Sequence, residues 1–237
     1  MYSSQPRRTI TIGPHLTPVV KSLVIACAVV FLWQQLGGIQ MVYIFGLTPS
    51  LVWTQFQFWQ LATYLFLHAG FWHIFWNMLA LWMFGSELEQ YLGGQRFLRF
   101  FFITGIGAGL LSILLDPFSR VPTIGASGSV YGILMAYGML FPNRLVYLYF
   151  LFPIKVKYFV AILGVGAFLA ALGSGGGPVA HIAHLGGMIF AFLYLKGLLS
   201  IASLREAYQR RRLRKLRQRF KVYEREKRKK ENDFWIN

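Results

Sequence analysis

The chain has 237 residues, of which 56% are hydrophobic and only 14% charged, and its formal net charge is +16. Soluble domains carry about 25% charged residues. With 22 Phe, 12 Tyr and 7 Trp besides, the chain has more apolar side chains than a soluble core of this size can bury, which favours a membrane protein. The single cysteine, Cys27, excludes an internal disulfide framework and a cysteine-rich metal site.

The positive charge is concentrated at the C-terminus. Residues 205–237 hold 14 Lys or Arg against five Asp or Glu, and the acidic residues before position 205 are Glu87, Glu89 and Asp116. Apolar residues at helical spacing among these cations predict either a basic amphipathic helix on anionic lipid or a solvated anchor. Because no base-reading module accompanies the charge, we expect membrane lipids, and no nucleic acid, as partners.

Six apolar runs approach the roughly 20 residues that span a bilayer. The predicted spans lie near 19–36, 71–91, 95–115, 126–142, 156–173 and 179–200. The first is long for a signal-peptide core and no small-residue cleavage site follows it, so we expect a retained signal anchor. Residues 37–70 are aromatic but contain Gln55, Gln57 and Gln60, which favours an interfacial excursion over a further span.

Basic residues mark alternate connections between these runs. They precede or open the first run and follow the second, fourth and sixth. By contrast, 37–70 and 173–178 contain none, and the connection after the third run contains Arg120 alone. Because Lys and Arg stay on the cytoplasmic side, the alternation predicts six spans with both termini in the cytoplasm.

The sequence therefore predicts an all-α integral membrane protein, a six-transmembrane-helix bundle. Its expected parts are a cytoplasmic N-terminal segment of residues 1–18, a membrane domain of residues 19–203 and a basic cytoplasmic tail of residues 204–237. Polar side chains within such a membrane domain are expensive to bury, so each one requires a partner or a function.

Polar residues open the second run, beginning with His68 and continuing to His73 and Asn77. His73 and Asn77 are four residues apart and therefore lie on one face of a helix. Near the non-cytoplasmic end, two such donors can bind an anionic oxygen, or they can form hydrogen bonds that only hold the helices together. The pattern by itself leaves both interpretations open.

A glycine-rich motif opens the fourth run: Gly125, Ser127 and Gly128, followed by Tyr131 and Gly132. Ser127 lies near a helix N-terminus, where free backbone N–H groups and the helix dipole favour negative charge. These conditions suit a nucleophile whose attack creates an oxyanion. A helix cap with a small-residue packing face has the same pattern, because Gly128 and Gly132 have the spacing of close helix contacts.

Two histidines lie in the sixth run, His181 and His184, followed by Gly187 and Ala191. A histidine, whose ordinary pKa is about 6.5, suits general base chemistry. The small residues repeat the close-packing pattern of the fourth run, so contact between the two helices would bring His184 within reach of Ser127. His181 shares roughly the same face, and position alone does not separate the two histidines.

No carboxylate is available to orient either imidazole. Glu87 and Glu89 fall at the cytoplasmic end of the second run, and Asp116 lies in a loop. A Ser–His dyad is therefore favoured over a triad. The chain also lacks a His-Glu-x-x-His pattern and paired acids within spans, so we expect no metal, no cofactor and no aspartyl mechanism.

Three segments in this order on three spans closely resemble the rhomboid family: His68–Asn77, Gly125–Gly128 and Ala183–Gly187. The resemblance covers residues 19–200. It implies a six-helix intramembrane serine protease that cleaves transmembrane segments of client proteins, and it leads us to expect a plasma-membrane location.

The resemblance also implies residue roles. It makes Ser127 the nucleophile and His184, which has Gly at the third following position, the general base. It places His73 and Asn77 with the Ser127 backbone N–H in an oxyanion hole and packs Tyr131 against the imidazole. The residues expected to support the site are His68, Gly125, Gly128 and Gly187.

Two positions depart from the family pattern. Gln60 stands where many relatives have Arg after Trp59, so we expect the contacts of that Arg to be lost, and Ala191 stands where the family often has Gly. Glu89 and Gly93 match a structural motif of the family.

Two other functions compete with proteolysis. A catalytically inactive relative would bind and sort membrane clients, and the intact Ser127 and His184 argue against it. A transporter that relays protons through His181 and His184 requires acidic partners at membrane depth, and the sequence has none. The clients and the oligomeric state are not predicted.

Overall fold

The computed structural model describes residues 14–148, 152–173 and 181–198, together with Leu213. These residues belong to two compact units, divided after Leu193. Most of the predicted N-terminal segment and, apart from Leu213, all of the predicted basic tail lie outside the described residues.

The described part of the chain is mostly helical. Its helices are α1 (Pro18–Phe45), α2 (Pro49–Thr54), α3 (Gln60–Thr63), α4 (Phe71–Ala80), α5 (Ser86–Leu92), α6 (Gly94–Leu115), α7 (Ser127–Leu140), α8 (Val156–Leu172) and α9 (His181–Leu198). A 3₁₀ turn, Tyr64–Phe66, precedes α4, and a π-helical segment, Leu81–Gly85, joins α4 to α5. Helices therefore lie at all six predicted runs.

The first helix continues nine residues beyond its predicted end at residue 36. It is broken at Gly38, whose φ of 60° and ψ of −152° are not helical. Glycine adopts positive φ without the steric clash that a Cβ causes. The helix therefore extends past the predicted span, with a kink at Gly38 after which it resumes and reaches Phe45.

Three described helices are long and apolar enough to cross a membrane, namely α1, α6 and α9, and α8 is a shorter apolar helix. The π-helical segment divides the second predicted span between α4 and α5. The 14 residues of α7 reach about 21 Å, less than the roughly 30 Å of a hydrocarbon core. The count of six spans therefore stays a prediction.

A short hairpin departs from the all-α prediction. Strand β1 (Leu145–Leu148) pairs antiparallel with β2 (Phe152–Lys155). The segment is rich in aromatic and β-branched residues, which favour strands over helices. It leads directly into α8, whose first N–H, from Val156, donates to the Arg144 carbonyl at 2.9 Å.

Small residues bring α6, α7 and α9 into close contact. A Cβ added at Gly128 would lie 2.7 Å from the Cβ of Ala108 on α6, and one added at Gly187 would collide with the Gly128 carbonyl oxygen. A Cβ at Gly186 would lie 2.8 Å from Ala108 Cα. Helices in lipid associate through such close approach of backbones.

A buried carboxylate connects α5 to the start of α1. Glu89 is 5% exposed and accepts hydrogen bonds from the Thr17 hydroxyl and from the N–H groups of Val19, at 3.1 Å, and Val20, at 2.9 Å. An anion here satisfies amides that have no intrahelical acceptor and interacts favourably with the helix dipole. Gly93, with φ 82°, ends α5 one turn later.

A second carboxylate lies where α5, α7 and the hairpin meet. Glu87 forms an ion pair with Arg144 and accepts a hydrogen bond from the Tyr137 hydroxyl at 3.0 Å. The guanidinium of Arg144 also lies over the Phe141 ring, 4.3 Å from its centroid. The interaction holds the entry to the hairpin against the helices.

We expect Gly187→Ala to lower the free energy of unfolding by about 1–3 kcal/mol, because its Cβ overpacks a contact with backbone that no side-chain rotation can relieve. Thermal unfolding in detergent measures the loss. Gly166→Ala is the matched control, since a Cβ at Gly166 meets nothing within 4 Å. Equal stability of the two variants would contradict the described contact.

Candidate active site

Ser127 is the first residue of α7. Gly125, two residues earlier, has φ 123°, which glycine tolerates, and its N–H donates to the Tyr64 carbonyl at 2.9 Å. The first N–H groups of a helix have no intrahelical acceptor. The Ser127 hydroxyl therefore lies beside free backbone donors at the positive end of the helix dipole.

The structure brings His184, and not His181, to Ser127. His184 Nε2 lies 2.9 Å from Ser127 Oγ. The His181 ring is 5.9 Å from the His184 ring, centroid to centroid, and edge-on to it. Among the described residues His181 forms no hydrogen bond with Ser127, so distance separates the two histidines that the sequence pattern leaves equivalent.

Tyr131, one turn after Ser127, lies flat against His184. Their ring centroids are 4.1 Å apart and the ring planes differ by 2°. Within the described ranges no carboxylate is hydrogen-bonded to His184. The imidazole is therefore oriented by the Tyr131 ring, which covers one of its faces, and by the Ser127 hydroxyl at Nε2.

His73 and Asn77 are both on α4, on the same helical face. A Cβ at Gly125 would lie 2.8 Å from His73 Nε2, and 3.7 Å from Ser127 Oγ. His73 Nδ1 accepts the Ala69 N–H at 3.2 Å, so the proton of the neutral ring is on Nε2, the nitrogen beside Gly125.

Asn77 is buried, and its side-chain amide donates to the His73 carbonyl at 2.8 Å. That bond fixes the amide one turn after His73. Because an amide nitrogen carries two N–H groups, Asn77 has a second one for another acceptor.

His68 is fully buried beside His73, with ring centroids 5.2 Å apart. Gln34 on α1 holds its backbone by donating to the His68 carbonyl at 2.9 Å and accepting the His68 N–H at 3.1 Å. Burial and, secondarily, the nearby His73 lower the pKa of His68 to about 4. His68 is therefore an uncharged neighbour of the site at neutral pH.

The segment before Ser127 is fixed by the loop that follows α1. Leu47 and Thr123 exchange backbone hydrogen bonds of 2.9 and 2.8 Å. The hydroxyl of Tyr64, whose carbonyl holds Gly125, donates to the Gly105 carbonyl on α6 at 2.7 Å. The turn that presents Ser127 is thus tied to two other parts of the chain.

A family model described as the rhomboid domain matches residues 55–201, more than half of the chain. The chain belongs to the rhomboid family. As a rhomboid it is a multi-pass membrane protein, and relatives in the family are named proteases.

Three similar proteins show the spread of the family. Rhomboid protein 1, mitochondrial, from Saccharomyces cerevisiae is 37% identical over 134 residues, which are 54% of this chain and 38% of the yeast protein. Rhomboid protease GluP from Bacillus subtilis is 30% identical over 149 residues, 62% of this chain and 27% of that protein. Putative rhomboid protease YdcA from the same bacterium is 30% identical over 140 residues, 58% of this chain and 67% of that protein.

The matched region thus spans about a quarter to two fifths of the yeast protein and of GluP. The activity of those longer proteins is therefore attributed to this rhomboid only as a proposal.

Gln60, the position where the resemblance to the family leads to an expectation of Arg, is fully buried. Its side-chain oxygen accepts the Thr48 N–H at 2.9 Å, and its amide donates to the Tyr43 carbonyl at 3.2 Å and to the Gln57 side chain at 2.7 Å. The substitution removes a cation, but the amide forms its own set of contacts between the end of α1 and the loop.

The sequence pattern does not predict three side chains that position the backbone around the site: Gln34, Gln60 and Tyr64. Their partners are backbone groups 12–41 positions away along the chain, and no local spacing reveals such contacts. A usable signal exists for Gln34, because an amide inside an apolar span requires a partner.

We expect Gln60→Ala to lower the free energy of unfolding by about 1–3 kcal/mol, because it leaves the buried Thr48 N–H without an acceptor. The same variant should speed amide hydrogen exchange at Thr48. The matched control is Gln55→Ala, at an exposed position in the same loop. Unchanged exchange at Thr48 in Gln60→Ala would contradict the role given to this residue.

Proposed function

We propose that this rhomboid is an intramembrane serine protease that uses Ser127 and His184 as a catalytic dyad. The observation that supports the proposal most directly is the 2.9 Å separation of Ser127 Oγ and His184 Nε2 at the start of α7. A general base must lie within about 2.6–3.2 Å of the proton that it removes. The same serine lies beside unpaired helix amides, so one position supplies both the nucleophile and oxyanion donors.

In the proposed reaction, His184 Nε2 removes the Ser127 hydroxyl proton as Oγ attacks the scissile carbonyl carbon. The carbonyl oxygen takes the π electrons and becomes the oxyanion. Collapse of this intermediate breaks the C–N bond, and His184 gives its proton to the leaving amine. Water, activated by His184, then hydrolyses the acyl-enzyme ester and restores Ser127.

The oxyanion is proposed to lie against His73, Asn77 and the backbone N–H of Ser127. The support comes from donor orientation: the Ala69 N–H occupies His73 Nδ1, which leaves an Nε2–H donor beside Gly125. The hydrogen bond from Asn77 to its own helix fixes the amide in place. Donors that are already oriented need no reorganisation when negative charge develops.

The proposed substrates are transmembrane segments of client proteins, which must unwind locally to expose a peptide bond. We further propose that residues 19–203 form a six-span membrane domain between cytoplasmic segments 1–18 and 204–237, with water entering from the non-cytoplasmic side. The plasma-membrane location stays a prediction, because the yeast relative is named a mitochondrial protein.

Purified protein is expected to cleave a labelled transmembrane substrate in detergent and to react with a fluorophosphonate probe. Ser127→Ala and His184→Ala should each abolish cleavage, and Asn77→Ala should lower the rate by about 10²–10³ through loss of an oxyanion donor. His181→Ala is the matched control, because its ring neighbours the dyad without bonding to Ser127.

Two outcomes would overturn the dyad: undiminished cleavage by Ser127→Ala, or loss of activity in His181→Ala with full activity in His184→Ala. A folded protein that neither cleaves nor reacts with the probe would favour the inactive, client-binding relative instead.

Tyr131 is expected to act through the face of its ring. Tyr131→Phe should therefore keep kcat, whereas Tyr131→Leu should lower kcat by roughly tenfold, because it removes the stacked plane that orients His184. Steady-state kinetics on the same substrate compares the two variants. An equal loss in both would show that the hydroxyl, and not the stack, matters.

A further inference from the structure

A groove formed by α7, α8 and α9 is separate from the dyad. It has a volume of about 470 Å³, and its lining includes Met135 and Met139 of α7, Lys157 and Gly164 of α8, and Met188 of α9. This volume falls within the roughly 300–1,000 Å³ typical of small-molecule sites. Lys157 supplies the charged group in an otherwise apolar lining.

Lys157 gives the groove one charged end. It lies in the first turn of α8, is exposed, and has its ammonium 5.0 Å from the Tyr158 ring centroid. In the part of the chain that the structure describes, no carboxylate pairs with Lys157, and Glu87 is paired with Arg144. A cation at the end of an apolar groove selects an anionic partner with an apolar body.

The length of the groove matches one leaflet of a bilayer. Its lining on α8 extends from Lys157 to Val165, eight residues and about 12 Å along the helix axis. Half of a hydrocarbon core is roughly 15 Å thick. A ligand with its charge at Lys157 would therefore extend towards the bilayer centre.

The hairpin before α8 places the charged end near the membrane surface. Tyr147 and Phe152 on its two strands are 58% and 67% exposed, and exposed Tyr is enriched at membrane–water interfaces. Lys155 and Lys157 follow directly. A hairpin at the interface would put the lysine ammonium at the depth of the lipid phosphates.

The lining favours a flexible occupant. Methionine side chains adapt to irregular shapes, and three of them line the groove. Met188 packs closely on Gly164, where an added Cβ would lie 3.2 Å from Met188 Cε. A whole helix, roughly 10 Å across with its side chains, is too wide for this volume, whereas an acyl chain fits.

We propose that this groove binds one anionic phospholipid, with an acyl chain between α7 and α8 and its phosphate at Lys157. Basic pockets between transmembrane helices bind anionic headgroups in this way. The occupant is a lipid of the leaflet that contacts the hairpin, and it fills the space that the small and flexible residues leave between the helices.

Native mass spectrometry of the full chain in detergent tests this, with phosphatidylglycerol and phosphatidylcholine added in turn. One phosphatidylglycerol should be retained in preference to phosphatidylcholine. Lys157→Gln should weaken that preference roughly fivefold through loss of one cation, and Ala161→Phe should displace the lipid by filling the groove. The matched controls are Lys21→Gln, an exposed lysine on α1, and Ile162→Phe, an exposed neighbour outside the lining.

Equal retention of the two lipids by the unaltered protein would overturn the proposal. Wild-type retention of phosphatidylglycerol by both Lys157→Gln and Ala161→Phe would also overturn it. So would a loss of lipid in the two controls as large as the loss in these variants, because the bound lipid would then be annular only. Thermal unfolding confirms that each variant is folded, and because all four substitutions are at exposed positions the comparison does not depend on the core.

Discussion

The contact between the Gly128 carbonyl and Gly187 is the constraint on which the rest of the site depends. Ser127 directly precedes Gly128, and His184 lies three residues before Gly187, so the meeting point of α7 and α9 is within one turn of both side chains. Because backbone meets backbone there, the separation of the hydroxyl and the imidazole is set by the helix axes. A side chain at Gly187 would press on the Gly128 carbonyl and separate the two groups, whatever their own chemistry.

Around this contact, several polar side chains bind backbone groups of the loop between α1 and α4. The Gln34 side chain binds the His68 backbone, the Gln60 side chain binds the Thr48 N–H, and the Tyr64 hydroxyl binds the Gly105 carbonyl. An irregular loop at a membrane has carbonyl and N–H groups that neither a helix nor lipid can satisfy. These side chains supply the missing partners, and in doing so they stiffen the loop that supports the turn before Ser127.

Features that repeat along the chain, or that have a local residue pattern, could be predicted from the sequence. Apolar runs predicted the helical segments, and the grouping of Gly125, Ser127 and His184 predicted the candidate site. The break at Gly38 and the short hairpin after α7 were missed because each interrupts an otherwise apolar, helix-rich pattern over only a few residues. The contact of Gln60 with Thr48 was missed because it joins separate segments and follows no local spacing. Spacing could not choose between His181 and His184 either, since both lie on one helix face and the distance to another helix separates them.

The carboxylate of Glu89 has a consequence for assembly during synthesis. It is the acceptor for the first amides of α1, yet it is made 72 residues after Thr17. At about 5–20 residues per second, the ribosome needs roughly 4–14 s to supply it. Throughout that interval these amides lack the carboxylate, so the start of α1 reaches its final contacts only after α5 has been made.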